Sequence, residues 1–257
     1  MAERLVVLLT DFGLRDHYVA VMKGVMLSLC PRLRFIDLTH EIPPQDVKEG
    51  AYILGVSYRY FPEETIFLAV VDPGVGTSRK GVVLRAGPYY FVGPDNGLFT
   101  WVVKQESDFV IRALTNPGYF RPQISNTFHG RDIFAPTAAH LACGRPFEEV
   151  GPVINELVLL PWPEVRRKGP FVLGQVIHVD RFGNLITNIS RRQLAGHRVK
   201  RIRYKDLEIP LVSTYGVARK GEVVALFGSE DFLEIALVED SAAKRLGADG
   251  EVRVELD

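Results

Sequence analysis

The N-terminal part of the chain alternates between wholly apolar runs and helical patterns, and this alternation limits the possible folds more than any other feature. Residues 5–9 and 66–71 are apolar throughout, as strands covered on both faces are. Apolar residues recur at helical spacing over residues 19–29 and 47–58, and a further strand is predicted at residues 33–38. The order strand–helix–strand–helix–strand predicts βαβ units, right-handed crossovers and a mostly parallel sheet.

Acidic residues stand where two of these strands end. Asp11 follows the first strand, and Asp72 follows the strand at 66–71 in a Pro-Gly loop that leads to Arg79. In open α/β sheets ligands bind outside the carboxyl ends of the strands, so this edge is a candidate site. A plainer interpretation is equally open, in which Asp72 caps its own turn and Arg79 is a solvated surface arginine.

The pattern changes in the second half of the chain. Residues 81–85 and 89–92 predict a β-hairpin, and residues 160–170, which are rich in proline, charge and glycine, predict a linker. Beyond the linker, short strands separated by regular turns predict a small barrel or sandwich. We therefore expect an α/β fold class, with an N-terminal α/β domain at residues 1–162 and a C-terminal β domain at residues 163–257.

Composition excludes several classes of protein. The 257 residues include 31 Lys and Arg and 31 Asp and Glu, so no basic excess indicates a nucleic-acid partner. No apolar run reaches the length of a membrane span, and the N-terminus does not resemble a signal peptide, so we expect a cytoplasmic protein. Cys30 and Cys143 lie in apolar settings near predicted helix ends and are expected to be buried free thiols.

Polar side chains that could carry chemistry fall in five clusters, which are Asp11 with Asp16 and His17, Asp72 with Arg79, His129 with Arg131 and Asp132, Asp180 to Asn184 with Asn188, and Gly228 to Asp231. The first three could converge at one sheet edge, where Asp, Arg and His side chains can hold and polarise a water molecule. Plainer roles are open for each of them. Asp16 can be the N-cap of the next helix, and His129 can be a hydrogen-bonded loop histidine.

Several common motifs are absent from the sequence. No pair of histidines and no Asp-x-Asp has the spacing of metal ligands, so a metal site is disfavoured although aspartates and histidines are present. The chain has no Gly-x-Gly-x-x-Gly and no P-loop, which argues against a dinucleotide or a nucleoside triphosphate. It also lacks the Gly-x-Ser-x-Gly elbow of α/β-hydrolases.

Taken together, the motifs resemble those of the S-adenosylmethionine (SAM) hydroxide adenosyltransferases, which are SAM hydrolases related to the fluorinase and chlorinase. The resemblance covers nearly the whole chain. The blocks that carry it are Thr10-Asp-Phe-Gly13 with Asp16, His40-Glu-Ile-Pro-Pro44, Val71-Asp-Pro-Gly-Val-Gly-Thr77 with Arg79, Gly93-Pro-Asp-Asn-Gly97, Phe128-His-Gly-Arg-Asp132, Asp180-x-Phe-Gly-Asn-Leu-x-Thr-Asn188 and Leu233-Glu-Ile-Ala236.

This resemblance implies an N-terminal α/β domain, a C-terminal β-barrel domain and a homotrimer. SAM would bind between the N-domain of one subunit and the C-domain of its neighbour, as substrate, so no cofactor and no metal is expected. The implied catalytic residues are Asp72, Arg79 and His129. The implied substrate-binding residues are Asp11 for the ribose with Asp16 nearby, Phe182 and Asn184 along the adenosine, Asp180 and Ser229 at the methionine end, and Glu230 and Val238.

The reaction expected from this resemblance is attack of water on the ribose 5′ carbon, which gives adenosine and L-methionine. A SAM-dependent halogenase is the alternative, but halogenases carry a tyrosine where Asp72 stands and a tyrosine–serine pair where His129 and Gly130 stand. A carboxylate at position 72 repels a halide and favours water. Glu230 stands where halogenases have an arginine near the methionine carboxylate. A non-catalytic adenosine or SAM sensor and a metal phosphoesterase are further alternatives.

Overall fold

The computed structural model describes residues 4–257. The chain divides into two compact units, the first ending at Leu160 and the second spanning Pro161–Asp257. The main elements of the first unit are, in chain order, β1 (Leu5–Thr10), α1 (Tyr18–Leu29), β2 (Arg34–Thr39), α2 (Val47–Ser57), β3 (Ile66–Val70), β4 (Gly81–Ala86), β5 (Tyr89–Pro94), α3 (Thr100–Gln105), β6 (Phe109–Ala113), a π-helical turn (Gly130–Phe134), α4 (Ala135–Ala142) and β7 (Val153–Ile154).

The strands of the first unit form one seven-stranded sheet in the order β2-β1-β3-β5-β4-β6-β7. The pairs β1–β2, β1–β3 and β3–β5 are parallel, which confirms the predicted βαβ units. The remaining pairs are antiparallel. The sheet is therefore mixed rather than mostly parallel, because the hairpin β4–β5 turns the chain back and two further strands add to its outer side.

Apolar side chains on both faces of this sheet explain why its central strands read as unbroken apolar runs. Val6 and Leu8 of β1 pack in one cluster with residues of α1 and α4, such as Met22. Val7 and Leu9 point the other way and pack with residues of α2 and α3, such as Leu54. Both faces of β1 are therefore buried, as the sequence pattern predicts.

A disulfide joins Cys30 to Cys143, so the expectation of two free thiols is wrong. Each cysteine is the residue that ends a helix, Cys30 after α1 and Cys143 after α4. The two helices pack against each other, and this brings the Cα atoms to 5.9 Å, within the range that a disulfide bridges. The cysteines are 113 residues apart in the chain, so no local spacing indicates the pairing.

The second unit is built around an eight-stranded antiparallel sheet, with the order β12-β11-β15-β9-β10-β14-β13 and β8 paired to β9. Its elements are β8 (Arg166–Lys168), β9 (Phe171–Val179), β10 (Leu185–Ser190), β11 (Val199–Tyr204), β12 (Leu207–Ile209), β13 (Val223–Phe227), β14 (Phe232–Leu237), α5 (Ala242–Leu246) and β15 (Glu251–Leu256). A bridge between Leu211 and Ala225 links the two ends of the strand order. The sheet therefore curls into a nearly closed barrel around an apolar core, as the turn-separated strands predict.

Part of the segment predicted as a linker is a strand. Residues Arg166–Lys168 pair antiparallel with the start of β9, from Arg166 opposite Leu173 to Lys168 opposite Phe171. All three side chains are exposed. Charged, exposed side chains are typical of a short edge strand, and their polarity made this segment resemble a linker in the sequence.

Candidate active site

The register of the first sheet brings Asp11 and Asp72 to the same edge. Strands β1 and β3 are parallel neighbours, and Thr10 at the end of β1 lies opposite Val70 at the end of β3. Asp11 follows Thr10 directly, and Asp72 follows Val70 after one intervening residue. Both carboxylates therefore leave the sheet at its carboxyl edge. This is the position at which α/β sheets bind ligands.

Arg79 connects Asp72 to His129 by hydrogen bonds. Its Nε donates to Oδ1 of Asp72 at 2.8 Å, and its Nη2 donates to Oδ2 of the same carboxylate. The same Nη2 lies 2.8 Å from Nδ1 of His129. The side chain of Asp72 is only 6% exposed and that of Arg79 only 11%. The structure thus brings together the three side chains that the sequence grouped, in a setting with little water.

Two contacts hold the Arg79 loop in place. The guanidinium of Arg79 lies over the ring of Phe134, 5.1 Å from its centroid. Gly76 has φ +77°, and a Cβ atom there would lie 2.2 Å from the backbone oxygen of Asn126. Only glycine allows this close approach of the Arg79 loop to the segment that precedes His129.

The position of His129 depends on a buried carboxylate, Asp132, three residues after it in the chain. It precedes the π-helical turn Gly130–Phe134, a rare element that is frequent at functional sites. Within this turn the fully buried Asp132 accepts Nε and Nη2 of Arg131 at 2.7 and 2.8 Å. Arg121 and the backbone of Ser125 donate to the same carboxylate at 3.0 and 2.9 Å. Asp132 therefore joins the chain before His129 to the chain after it.

The hydrogen bond from Arg79 determines the protonation of His129. A guanidinium has no acceptor, so Nδ1 of His129 must accept, and the neutral ring then carries its proton on Nε2. Burial lowers the pKa of His129 below 6.5, and the positive charge of Arg79 lowers it further, against the opposing effect of Asp72 and Asp132. His129 is therefore neutral at pH 7 and offers an N–H donor from Nε2.

The two expected ribose-side carboxylates differ in their setting. Oδ2 of Asp11 accepts the backbone N–H of Gln45 at 2.8 Å, so this side chain has a fixed direction. Asp16 is exposed. It is not the N-cap of α1, because the helix begins at Tyr18 with His17 in the cap position and without a side-chain cap bond. The polar turn between β1 and α1 is longer than the sequence suggested.

In the second unit, Asp180 organises the turn between β9 and β10. Its Oδ1 accepts the backbone N–H groups of Phe182 and Asn184 at 2.9 and 2.8 Å, and its Oδ2 accepts Nδ2 of Asn184 at 2.9 Å. Asn184 is buried, whereas Phe182 is 78% exposed. Asp180 and Asn184 are thus brought together, and Phe182 is presented at the surface of this unit.

The other expected binding residues of the second unit lie around β14. Ser229 and Glu230 are in the turn before it, where the Ser229 hydroxyl donates to Oε1 of Glu230 at 3.1 Å. Val238 follows the strand and packs beside Val224 in a small apolar cluster. The sequence marked Ser229 and Glu230 as part of a polar cluster, and the family resemblance alone gave them a binding role. Val238 came from the resemblance alone, since a valine carries no chemical signal of its own.

A buried carboxyl in this region was missed as a possible site residue. Glu234 of β14, known from the sequence only as part of a motif, is 5% exposed and accepts the hydroxyl of Tyr215. Burial raises the pKa of Glu234 and the charge of Asp180 raises it further, although the Tyr215 hydrogen bond opposes them. Its Oε2 would lie 2.5 Å from a Cβ at Gly228, so Glu234 packs closely against the turn that carries Ser229.

Two negative findings hold for residues 4–257, one on metal ligation and one on membrane-spanning helices. No group of three or more His, Cys, Asp or Glu side chains in this range is arranged to hold a metal ion. No helix in the same range combines the length and the apolar character that crossing a membrane requires.

Comparisons with known proteins match both units of the chain to one family. Residues 6–151 match the model of the SAM hydroxide adenosyltransferase N-terminal domain, and residues 174–255 match that of the C-terminal domain. An (R)-S-adenosyl-L-methionine hydrolase of Thermus thermophilus is 42% identical over 255 residues, which cover 95% of this chain and 96% of that protein. A fluorinase of an Actinoplanes species is 30% identical, with 90% of each chain covered.

The fold has a close counterpart among solved structures. The crystal structure of an uncharacterized conserved protein from Thermotoga maritima superimposes with a TM-score of 0.90 at 38% identity and covers 97% of this chain and 99% of that one. Two matched domain models and relatives along nearly the full length leave one conclusion. The chain belongs to the SAM hydroxide adenosyltransferase family.

Proposed function

We propose that this protein hydrolyses SAM to adenosine and L-methionine by attack of water on the ribose 5′ carbon. The observation that carries the proposal is the hydrogen-bonded trio of Asp72, Arg79 and His129 at the carboxyl edge of the sheet, beside Asp11. The choice of SAM as substrate is supported by membership of the family and by relatives named as (R)-S-adenosyl-L-methionine hydrolases.

The bond changes are those of an in-line displacement. The water oxygen forms a bond to C5′ while the bond from C5′ to the sulfonium sulfur breaks, and its electron pair stays on sulfur to give a neutral thioether. The leaving group needs no proton, so no general acid is required. One proton of the water must be released. The protein therefore has to align the water and accept that proton, and alignment alone can contribute about 7–11 kcal/mol.

The trio divides these tasks among its members. Neutral His129 donates from Nε2 and so can orient the water oxygen, but it cannot accept a proton at that atom. Arg79 is permanently charged and stabilises developing hydroxide. Each carboxylate oxygen of Asp72 accepts one hydrogen bond from Arg79 and keeps a further lone pair. We therefore assign to Asp72 the role of accepting the proton that the water releases. Exclusion of water around these side chains favours a step in which charge is neutralised.

The remaining residues are assigned to substrate binding. Asp11, with its direction fixed by Gln45, binds the ribose hydroxyls, and Asp16 lies nearby in the chain. Phe182 and Asn184 line the adenosine, while Asp180, Ser229, Glu230 and Val238 bind toward the methionine end. The high exposure of Phe182 supports this, since a large aromatic ring at a surface is a typical contact for a base or a partner.

We further propose that the substrate is the sulfonium epimer with the R configuration. The name of the Thermus thermophilus relative specifies this epimer. Attack in line with the C5′–S bond requires the sulfur substituents to be seated in one orientation, so a site for one epimer misplaces the other. Incubation with each separated epimer tests the assignment, and equal turnover of the two would contradict it.

The main experiment is incubation with SAM in water enriched in ¹⁸O, followed by chromatography and mass spectrometry of the products. We expect adenosine and methionine in equal amounts, with ¹⁸O in the 5′-hydroxyl of adenosine and none in methionine. Label in another product would contradict attack at C5′. Added chloride tests the halogenase alternative, since a 5′-chloro-nucleoside would replace adenosine. Bound ligand without methionine release would indicate a sensor.

Variants of the trio separate chemistry from binding. Asp72→Ala and His129→Ala should lower kcat by about 10²–10⁴-fold while changing SAM affinity much less, because they act on the water. Equal losses in turnover and affinity would mean that these residues serve binding only.

A chelator tests the metal phosphoesterase alternative, because loss of activity on its addition would favour that alternative.

We also propose a cytoplasmic homotrimer with no cofactor, in which SAM contacts the N-terminal domain of one subunit and the C-terminal domain of its neighbour. The support for this assembly is the family resemblance. The disulfide fits a cytoplasmic location only in an organism whose intracellular proteins carry disulfides, as those of hyperthermophiles do. Light scattering of the purified protein and alkylation of thiols in intact cells test the two points.

A further inference from the structure

His40 begins the motif His40-Glu-Ile-Pro-Pro44, to which the proposed chemistry gives no role. It is 3% exposed, one of the few buried polar side chains of the first unit. Its Nδ1 lies 2.8 Å from Oγ1 of Thr10, and its backbone oxygen accepts the N–H of Gly13 at 2.7 Å. His40 therefore contacts both ends of the four-residue loop Thr10-Asp-Phe-Gly13, which carries Asp11.

An irregularity in the sheet creates this contact. Leu8 of β1 pairs with Asp37 of β2, but the next residue, Leu9, pairs with Thr39, so Leu38 is left over. Without this bulge Thr10 would come opposite Thr39. With it, Thr10 comes opposite His40. Bulges beside active sites commonly redirect a side chain in this way.

The groups that face His40 determine its hydrogen bonds. Nε2 lies 3.0 Å from Oδ1 of Asp37. A carboxylate can only accept, so we place the ring proton on Nε2, and Nδ1 then accepts the Thr10 hydroxyl. Oγ1 of Thr10 in turn accepts the backbone N–H of Phe12 at 3.2 Å. Lys23 of α1 holds Asp37 at 2.7 Å.

The segment that begins at His40 also binds the carboxylate of Asp11. Gln45 donates its backbone N–H to Oδ2 of Asp11, and it does so from φ +68°, a left-handed conformation that is unfavourable for a side chain larger than glycine. Pro43 and Pro44 restrict the backbone between His40 and Gln45. The segment 40–45 thus fixes the loop at Thr10, at Gly13 and at the Asp11 carboxylate.

We infer that His40 is a positioning residue, which acts through Thr10 and the loop backbone to hold Asp11 in the direction that the substrate ribose requires. The inference rests on the proposed ribose-binding role of Asp11. His40 itself touches no reacting atom. A side chain that fixes a binding carboxylate in advance lowers the entropy lost on binding, so its removal weakens affinity more than turnover.

Thr10 gives the sharpest test, because Val replaces its hydroxyl by a methyl group of similar shape. In the full-length protein, Thr10→Val should weaken adenosine binding, measured by calorimetry, by roughly tenfold, the effect of losing one buried hydrogen bond. KM for SAM should rise similarly while kcat changes by less than about threefold. Thr10→Ser keeps the hydroxyl and should recover most of the affinity. Thr39→Val removes a neighbouring hydroxyl that accepts the backbone N–H of Glu41 and forms no hydrogen bond with Thr10 or Asp11, so it should leave binding unchanged.

His40 variants repeat the test from the other side of the hydrogen bond. His40→Asn keeps an acceptor near the position of Nδ1 and should bind adenosine more tightly than His40→Ala. Circular dichroism and thermal unfolding identify any variant that fails to fold, and the Thr10 pair then carries the test. Equal affinities of the Asn and Ala variants, both folded, would count against the inference.

Coupling to Asp11 separates positioning from general structural support. In an Asp11→Asn background, Thr10→Val should cost no further adenosine affinity, because the group that it positions is gone. Additive losses, or a lowered melting temperature with unchanged affinity, would overturn the inference. If Asp11→Asn alone leaves adenosine affinity unchanged, the ribose-binding role of Asp11 fails, and the inference falls with it. If Asp11→Asn weakens binding and Thr10→Val does not, only the inference fails.

Discussion

His129 is the residue whose chemistry depends most on its neighbours. In water an imidazole can donate or accept at either nitrogen, but beside Arg79 only one arrangement avoids placing two donors face to face. The neutral ring with its proton on Nε2 is therefore built into the site. A base at this position would need a carboxylate behind it, and the chain supplies a guanidinium instead.

The pKa of His129 can be measured by NMR titration of the imidazole. We expect a value below 6.5 in the wild-type protein, because burial and the charge of Arg79 both disfavour the imidazolium. Arg79→Met should raise it, since one repelling charge is lost. Asp72→Asn should lower it, since an attracting charge is lost. Shifts in the reverse directions would mean that the ring does not face Arg79 in solution.

The pH dependence of activity follows from the same charges. Protonation of His129 at Nδ1 would set a second cation against Arg79, so only the neutral form fits the trio. The neutral form of His129 should give the higher kcat/KM, so kcat/KM should fall as the pH drops through the lowered pKa of His129 and approach a plateau at higher pH. A pH–rate profile checks this. An acid limb with its midpoint above pH 6.5 would show that a different group controls it.

At the scale of elements, the loop from Asp72 to Arg79 depends on glycine. Gly76→Ala would place a Cβ 2.2 Å from the Asn126 oxygen at a positive φ, so the two loops must separate. We expect a loss of about 1–3 kcal/mol of stability and a fall in kcat, because Arg79 and His129 lie on the separated loops. Gly24→Ala in α1 is the matched control.

Gly24→Ala should leave the activity intact. A Cβ at Gly24 meets nothing within 4 Å, and alanine is the better helix former, so this variant should be slightly more stable and fully active. Denaturant unfolding and initial rates measure both variants. Normal activity of Gly76→Ala would show that the contact between the loops is dispensable.

The disulfide joins α1 to α4, and α4 continues the π-helical turn that follows His129. Cys30→Ser with Cys143→Ser should lower the free energy of unfolding by about 2–5 kcal/mol, because the bond closes a long loop in the unfolded chain. Activity at moderate temperature should be retained, as neither sulfur contacts the trio. Comparison of the double variant with the oxidised protein in denaturant provides the measurement.

What the sequence could predict at this scale was local. Apolar runs ending in Asp11 and Asp72 indicated buried strands and a carboxyl edge, because both faces of those strands are covered. The polar strand Arg166–Lys168 was missed, since its pairing with β9 leaves no apolar trace. The Cys30–Cys143 bond joins residues far apart in the chain, and only the packing of the two helices reveals it. The sequence grouped Arg79 with His129 through the family resemblance, but the hydrogen bond between them depends on how the two loops pack.

At the scale of the whole molecule, the residues that we propose to bind SAM are divided between the two units of the chain. Asp72 lies in the first unit and Asn184 in the second. If SAM binds between subunits of a ring, as the resemblance implies, then each site takes these two residues from different chains. A heterologous interface of this kind makes every site depend on two neighbours.

Mixing two inactive variants tests this arrangement. Asp72→Asn and Asn184→Ala chains, each nearly inactive alone, are unfolded together in equal amounts and refolded into mixed oligomers. If sites are shared, roughly a quarter of them combine an intact Asp72 from one chain with an intact Asn184 from the next, so about a quarter of wild-type activity should return. If each site belongs to one chain, no mixture can restore it. Wild-type protein carried through the same procedure corrects for refolding yield, and light scattering confirms that mixed oligomers have formed. Activity no higher than that of the separate variants would therefore rule out shared sites while leaving the chemistry of the trio intact.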